Sequence, residues 1–102
     1  MDLKKGTINL TNIYVEYENK NIKIRLLKKS ATSNVYKDID NTIVIKKIIN
    51  YKDYHVFERE IHILKLLNKH QINVPELIFY DINNQIIIMS YCGEAISEKI
   101  FN

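Results

Sequence analysis

The hydrophobic pattern changes its period part-way along the chain, and that change constrains the fold more than any other feature. Across residues 13–17 and 22–26, apolar side chains (Ile13, Val15, Tyr17; Ile22, Ile24, Leu26) alternate with others, the period of a half-buried strand. Residues 42–49 form a denser apolar run that contains Lys46 and Lys47. From residue 54 to 69 the apolar positions become Tyr54, Phe57, Ile61, Leu64 and Leu67, the spacing of an amphipathic helix. Asp53 is placed to cap that helix. Asn73-Val74-Pro75 ends the region, because proline disfavours helix around it. Residues 77–82 and 85–91 flank Asn83-Asn84 and read as a hairpin. Residues 7–17 read as an N-terminal strand, 18–21 as a turn, 28–34 as a polar loop, 35–39 as a short strand, and 94–101 as the start of a short helix. Several strands, one helix and two more strands predict an α+β fold: an antiparallel five-stranded sheet, one main helix and an extra N-terminal strand. We divide the chain into an N-terminal extension, 1–21, and a lobe, 22–102, within one domain. One helix covers one face of such a sheet, so the other is left to the chain ends or to a partner.

Composition removes several functions. Two glycines among 102 residues cannot build a strict glycine-rich phosphate loop. One cysteine, Cys92, makes neither an internal disulfide nor a structural zinc site. The three histidines, His55, His62 and His70, lack i, i+4 spacing with one another and read as surface residues. Apolar runs reach only four residues, as in Ile86-Ile87-Ile88-Met89, far short of a membrane span. No apolar stretch follows Met1 as a secretory signal would, so the chain reads as intracellular and cytoplasmic. Fifteen basic against 12 acidic residues give a net charge of +3, a weak signal for nucleic acid. Ile, Lys and Asn supply 19, 13 and 12 residues, a bias that points to an A/T-rich genome, viruses among the sources.

Lys46 and Glu60 carry the chemistry. Side chains alternate along a strand, so Lys46 and Lys47 point to opposite faces. On a helical wheel with Phe57 at zero, Glu60 falls at about 300°, inside the apolar stripe. A lysine set among aliphatics and a carboxylate on a core-facing stripe each want an opposite charge. Taken by residue type, both also fit as stripe-edge side chains whose heads reach water.

The order of these elements resembles the N-terminal lobe of the protein-kinase family. Ile43-Val44-Ile45-Lys46-Lys47-Ile48 is similar to the lysine strand of that lobe. The helix starting Phe57-Glu58-Arg59-Glu60-Ile61 carries Glu60 at the pairing position. Asn73-Val74-Pro75-Glu76-Leu77 resembles the approach to the fourth strand, and Ile87-Ile88-Met89-Ser90-Tyr91-Cys92-Gly93-Glu94 the fifth strand and hinge. The resemblance implies ATP as ligand, bound weakly or not at all. Lys46 would hold the phosphates, Glu60 would fix Lys46, and Val35 and Val44 would face adenine. Met89 would stand behind adenine, and Ser90 and Cys92 would offer hinge hydrogen bonds. Lys28, Ser30 and Ser33 stand where the family has its three glycines, and Val44 where it has a smaller residue. No H-R-D or D-F-G run is present, so no catalytic residue and no magnesium ligand is expected here; Mg2+ would need a C-terminal lobe supplied elsewhere. The expectation is the nucleotide-binding lobe of a divergent, serine/threonine-type kinase, without activity by itself. Two alternatives are a lobe mimic that docks on and inhibits a host kinase, and a small basic nucleic-acid module. Neither requires a membrane.

Overall fold

The computed structural model describes residues 4–70 and 74–91. Its strands are β1 (Asn9–Leu10), β2 (Tyr14–Tyr17), β3 (Lys20–Lys29), β4 (Ser33–Asp38), β5 (Ile43–Ile48), β6 (Leu77–Asp81) and β7 (Ile86–Ser90). One helix, α1 (Tyr54–Lys69), lies between β5 and β6. The sheet has seven strands in the order β1-β2-β3-β4-β5-β7-β6, with every neighbouring pair antiparallel. The α+β arrangement is as the sequence predicts, but a five-stranded sheet is corrected to seven. Two causes account for the difference. The chain start joins the sheet through β2, and residues 7–17 are split by a turn at Thr11. The Thr11 hydroxyl accepts the Tyr14 N–H at 2.9 Å, while the Thr11 N–H donates to the Tyr14 carbonyl. That turn folds one expected strand into a hairpin.

Residues 4–6 continue past β1 to the far edge of the sheet. The Gly6 N–H donates to the Tyr80 carbonyl and the Tyr80 N–H to the Lys4 carbonyl, at 3.0 and 2.9 Å. The chain start thus touches both edges of a curled sheet and covers the outer side of β6, where unpaired backbone groups would otherwise invite a second strand. Gly6 is required by close approach: a Cβ there would stand 2.5 Å from Cζ of Phe79. The Asp81 carboxylate fastens the same strip by accepting the Ile8 N–H at 2.8 Å and the Asn84 N–H at 3.1 Å.

The sheet is buried on both sides. Inside the curl, Ile8, Val15, Tyr17, Ile24, Tyr36, Ile43, Ile45, Phe79, Ile86 and Ile88 form one core. On the convex side α1 packs Phe57, Ile61 and Leu64 against Val35, Val44, Ile48, Leu77, Tyr80, Ile87 and Met89. The inner face left open by a single helix is therefore filled by the N-terminal residues. Double-sided burial explains why Ile86 to Met89 is uniformly apolar. An irregularity between Leu77 and Phe79 turns these two residues, which alternation would put on one face, into opposite cores.

Loops are shorter than the sequence predicts. Lys28 and Lys29 belong to β3, and Ser33 and Asn34 to β4, so the expected 28–34 loop shrinks to a tight turn. Glu18 and Asn19 take positive φ, 49° and 62°, between the paired Tyr17 and Lys20, the twist-matched form of a two-residue hairpin. Asp53 makes no side-chain cap; a 3-10 turn, Tyr51–Asp53, leads into α1 instead. The Asp53 N–H donates to Asn50 and the Tyr54 N–H to Tyr51, so backbone carbonyls satisfy donors a cap would serve. Asn68 clamps the other end of the helix: its Nδ2 donates to the Pro75 carbonyl and its Oδ1 accepts the Leu77 N–H at 2.7 Å. Asn73, Cys92, Gly93 and the expected 94–101 helix lie outside the described residues.

Tyr17 lies in the inner core, 5.5 Å from the Phe79 ring centroid. Burial pushes its phenol above the ordinary 10.0, and the Glu18 and Asp38 carboxylates add to the shift. The folded chain then keeps a proton that the unfolded chain releases, so this stabilisation is whole below pH ~10 and is lost as pH rises through the folded-state value. Tyr17→Phe is expected to flatten the alkaline fall of the urea midpoint. An equally steep fall in the variant would mean that another group is responsible.

Candidate functional site

Lys46 sits in the middle of β5, between Val35 of β4 and Ile87 of β7. Strand alternation turns Ile43 and Ile45 inward and Val44, Lys46 and Ile48 toward α1. The Lys46 ammonium crosses this apolar bed and meets the helix. Its Nζ donates to Oε1 of Glu60 at 2.5 Å, and the two side chains are 4% and 21% exposed. Lys47 faces the opposite way and its Nζ reaches the Asn84 carbonyl. Lys4 lies at the other edge of the sheet, donating to the Leu77 carbonyl. Lys4, Lys46 and Lys47 therefore share no common basic surface.

A cavity of about 490 Å³ opens beside the ion pair, between the turn joining β3 to β4 and the flank of α1. Its polar lining is Lys28, Ser30, Thr32, Ser33, Lys46, Arg59 and Glu60, with Val35, Ile48, Val56 and Ile63 as apolar wall. That volume falls in the range of small-molecule sites, roughly 300–1,000 Å³. Six of the residues singled out from the sequence, Lys28, Ser30, Ser33, Val35, Lys46 and Glu60, come together here.

The turn is built on Ser30. Its Oγ accepts the N–H groups of Thr32 and Ser33, at 3.4 and 3.1 Å, and its N–H donates to the Ser33 carbonyl. In a glycine-rich loop such backbone donors point at phosphate; here a serine hydroxyl takes two of them. The turn offers the cavity its side chains.

The residues expected at the adenine end are arranged differently. Val44 is 0% and Met89 1% exposed, both packed in the helix-side core. The Ser90 N–H donates to the Glu76 carbonyl, and the Ser90 hydroxyl accepts the Glu76 N–H at 2.8 Å. Beside them Lys37, itself buried, stands 5.5 Å from the Tyr91 ring centroid. Cys92, the other hinge residue, is outside the described residues.

Arg59 and Thr32 were not among the expected residues. With Phe57 at zero, Arg59 falls at about 200° and Val56, Ile63 and Glu60 at about 260°, 240° and 300°. Arg59, Ile63 and Val56 lie beside the apolar stripe and run into it at Glu60, and that continuous sector was the available signal. His55, His62 and His70 are exposed, and no cluster of three metal-ligating side chains occurs among the described residues. No helix among them is long and apolar enough to cross a membrane.

Comparison with protein-family models, with curated proteins and with solved structures found no match to this chain.

Proposed function

We propose that this chain is a nucleotide-binding lobe of the protein-kinase type that holds the phosphates of ATP beside Lys46. One observation carries the reading: a strand lysine and a helix glutamate, 14 residues apart, meet at 2.5 Å on the wall of an open cavity. A charge-paired lysine beside hydroxyls and a second and third cation suits an anionic phosphate chain. Phosphoryl transfer additionally needs an aspartate to accept the nucleophile's proton and carboxylates for Mg2+. In this reading those groups come from a C-terminal lobe, and the residues here bind without transferring. Val44 and Met89 are buried and offer no apolar surface to another kinase, so the lobe-mimic alternative gains nothing from these two residues.

Mg-ATP at about ten times its dissociation constant would stabilise the fold by about 1.4 kcal/mol. That corresponds to a rise in melting temperature of roughly 6–10 °C for a domain of this size. The rise is expected for the unaltered chain and absent in Lys46→Ala. No rise at several millimolar Mg-ATP, or an equal rise in the variant, would overturn the reading.

A further inference from the structure

We infer that the cavity at Lys46 recognises a chain of two or more phosphates and is indifferent to the base attached to it. The inference rests on the cavity being a phosphate site and goes further, to what that site selects.

Charge is the first argument. The cavity lining carries three cations, Lys28, Lys46 and Arg59, against one carboxylate, Glu60. A single phosphate would need fewer positive groups, whereas a di- or triphosphate spreads its charge over several. The cations stand on three elements: Lys28 on β3, Lys46 on β5 and Arg59 on α1. An extended anion can meet all three.

The second argument is how the anion would be held. Because Ser30 Oγ takes the Thr32 and Ser33 N–H groups, a backbone cradle that fixes one phosphate in one pose is replaced by side chains. Long side chains bearing charge adapt to anions of different shape. Attraction of this kind is loose in geometry and sensitive to salt.

The third argument is the base end. Val44 and Met89 have essentially no exposed surface, so neither can stack on a ring. Both Ser90 groups described above are engaged with Glu76. Of the three apolar residues expected around adenine, Val35 alone reaches the cavity wall. Among the described residues, Val44, Met89 and the Ser90 N–H and hydroxyl therefore offer no contact to tell adenine from guanine, while groups that would hold phosphate line the cavity.

The test is calorimetric titration of the 102-residue chain with ATP, GTP, inorganic tripolyphosphate and adenosine, without Mg2+, at low and moderate salt. The three anions are expected to bind within about threefold of one another, and all to weaken together as salt rises. Adenosine is expected not to bind. Arg59→Ala, an exposed helix position where alanine is well tolerated, should weaken all three anions by about five- to tenfold. Arg59→Lys should recover most of that loss. ATP binding at least tenfold tighter than GTP or tripolyphosphate would overturn the inference and leave the nucleotide-lobe reading intact. Binding of adenosine comparable to ATP would overturn it likewise. No binding by any of the three anions would overturn the inference, and the Mg-ATP melt would then decide the nucleotide-lobe reading.

Discussion

Phe57→Ala is expected to be the most destabilising single truncation on α1. The side chain is 1% exposed and lies at the centre of the helix-side core, against a sheet surface made by β4, β5, β6 and β7. Removing a buried phenyl group costs about 3–5 kcal/mol, the transfer term together with the cavity left behind. A small domain has about 5–15 kcal/mol in total, and each kcal/mol moves its melting temperature by roughly 4–8 °C. A drop of about 12 °C or more is therefore expected, or a chain already unfolded at room temperature. Leu66→Ala provides the comparison. Leu66 lies on the same helix but is 47% exposed, so its truncation should change stability by less than about 1 kcal/mol. A thermal melt of both variants decides the matter. Equal, small effects would mean that α1 is not docked through Phe57 and that the wall of the cavity is not fixed.

The helix was legible because its evidence is local. Phe57, Ile61 and Leu64, three of the five stripe positions, are the residues it buries, and nothing distant is needed to see the period. The hairpin at Asn83-Asn84 was legible for the same reason. The chain start was not. Alternation at Ile13, Val15 and Tyr17 signals a strand but does not say which sheet edge it joins. Nor does it say that residues 4–6 pair with β6 more than 70 positions later. Gly6 was the available clue, since a lone glycine in a β-rich stretch often marks close approach, here to the Phe79 ring. The site divides in the same way. Lys46 and Glu60 stand out because a charged group among aliphatics is unusual. Arg59 does not, because an arginine on an exposed helix face is ordinary, and only the fold brings the Ser30–Ser33 turn alongside it. Val44 and Met89 were placed on the correct strands, but their burial depends on packing that no spacing encodes.

Lys46→Met and Glu60→Ala are expected to behave in opposite ways, and the contrast tests the ion pair as both a structural and a binding element. Methionine preserves most of the lysine's volume in the bed between Val35 and Ile87 and removes the charge. Replacing a buried charge with an apolar group of similar size is often neutral or stabilising, so the change should stay within about 1.5 kcal/mol. Glu60→Ala instead removes the carboxylate that stands 2.5 Å from a 4% exposed lysine. For a fully buried pair that costs about 3–5 kcal/mol. Glu60 borders the open cavity and is 21% exposed, where water offsets part of the loss, so about 2–3 kcal/mol is expected. Binding should run the other way. Lys46→Met removes a cation from the cavity and should abolish detectable binding of tripolyphosphate. Glu60→Ala removes its one lining carboxylate and should tighten binding severalfold at low salt, an effect that fades near 1 M salt as the Debye length falls to about 3 Å. If Glu60 acted chiefly by aiming Lys46 at a fixed phosphate position, its loss would weaken binding instead. The sign of the change in Glu60→Ala therefore separates a site held by field from a site held by geometry. The closed turn at Ser30, which withholds two backbone donors, argues for the field.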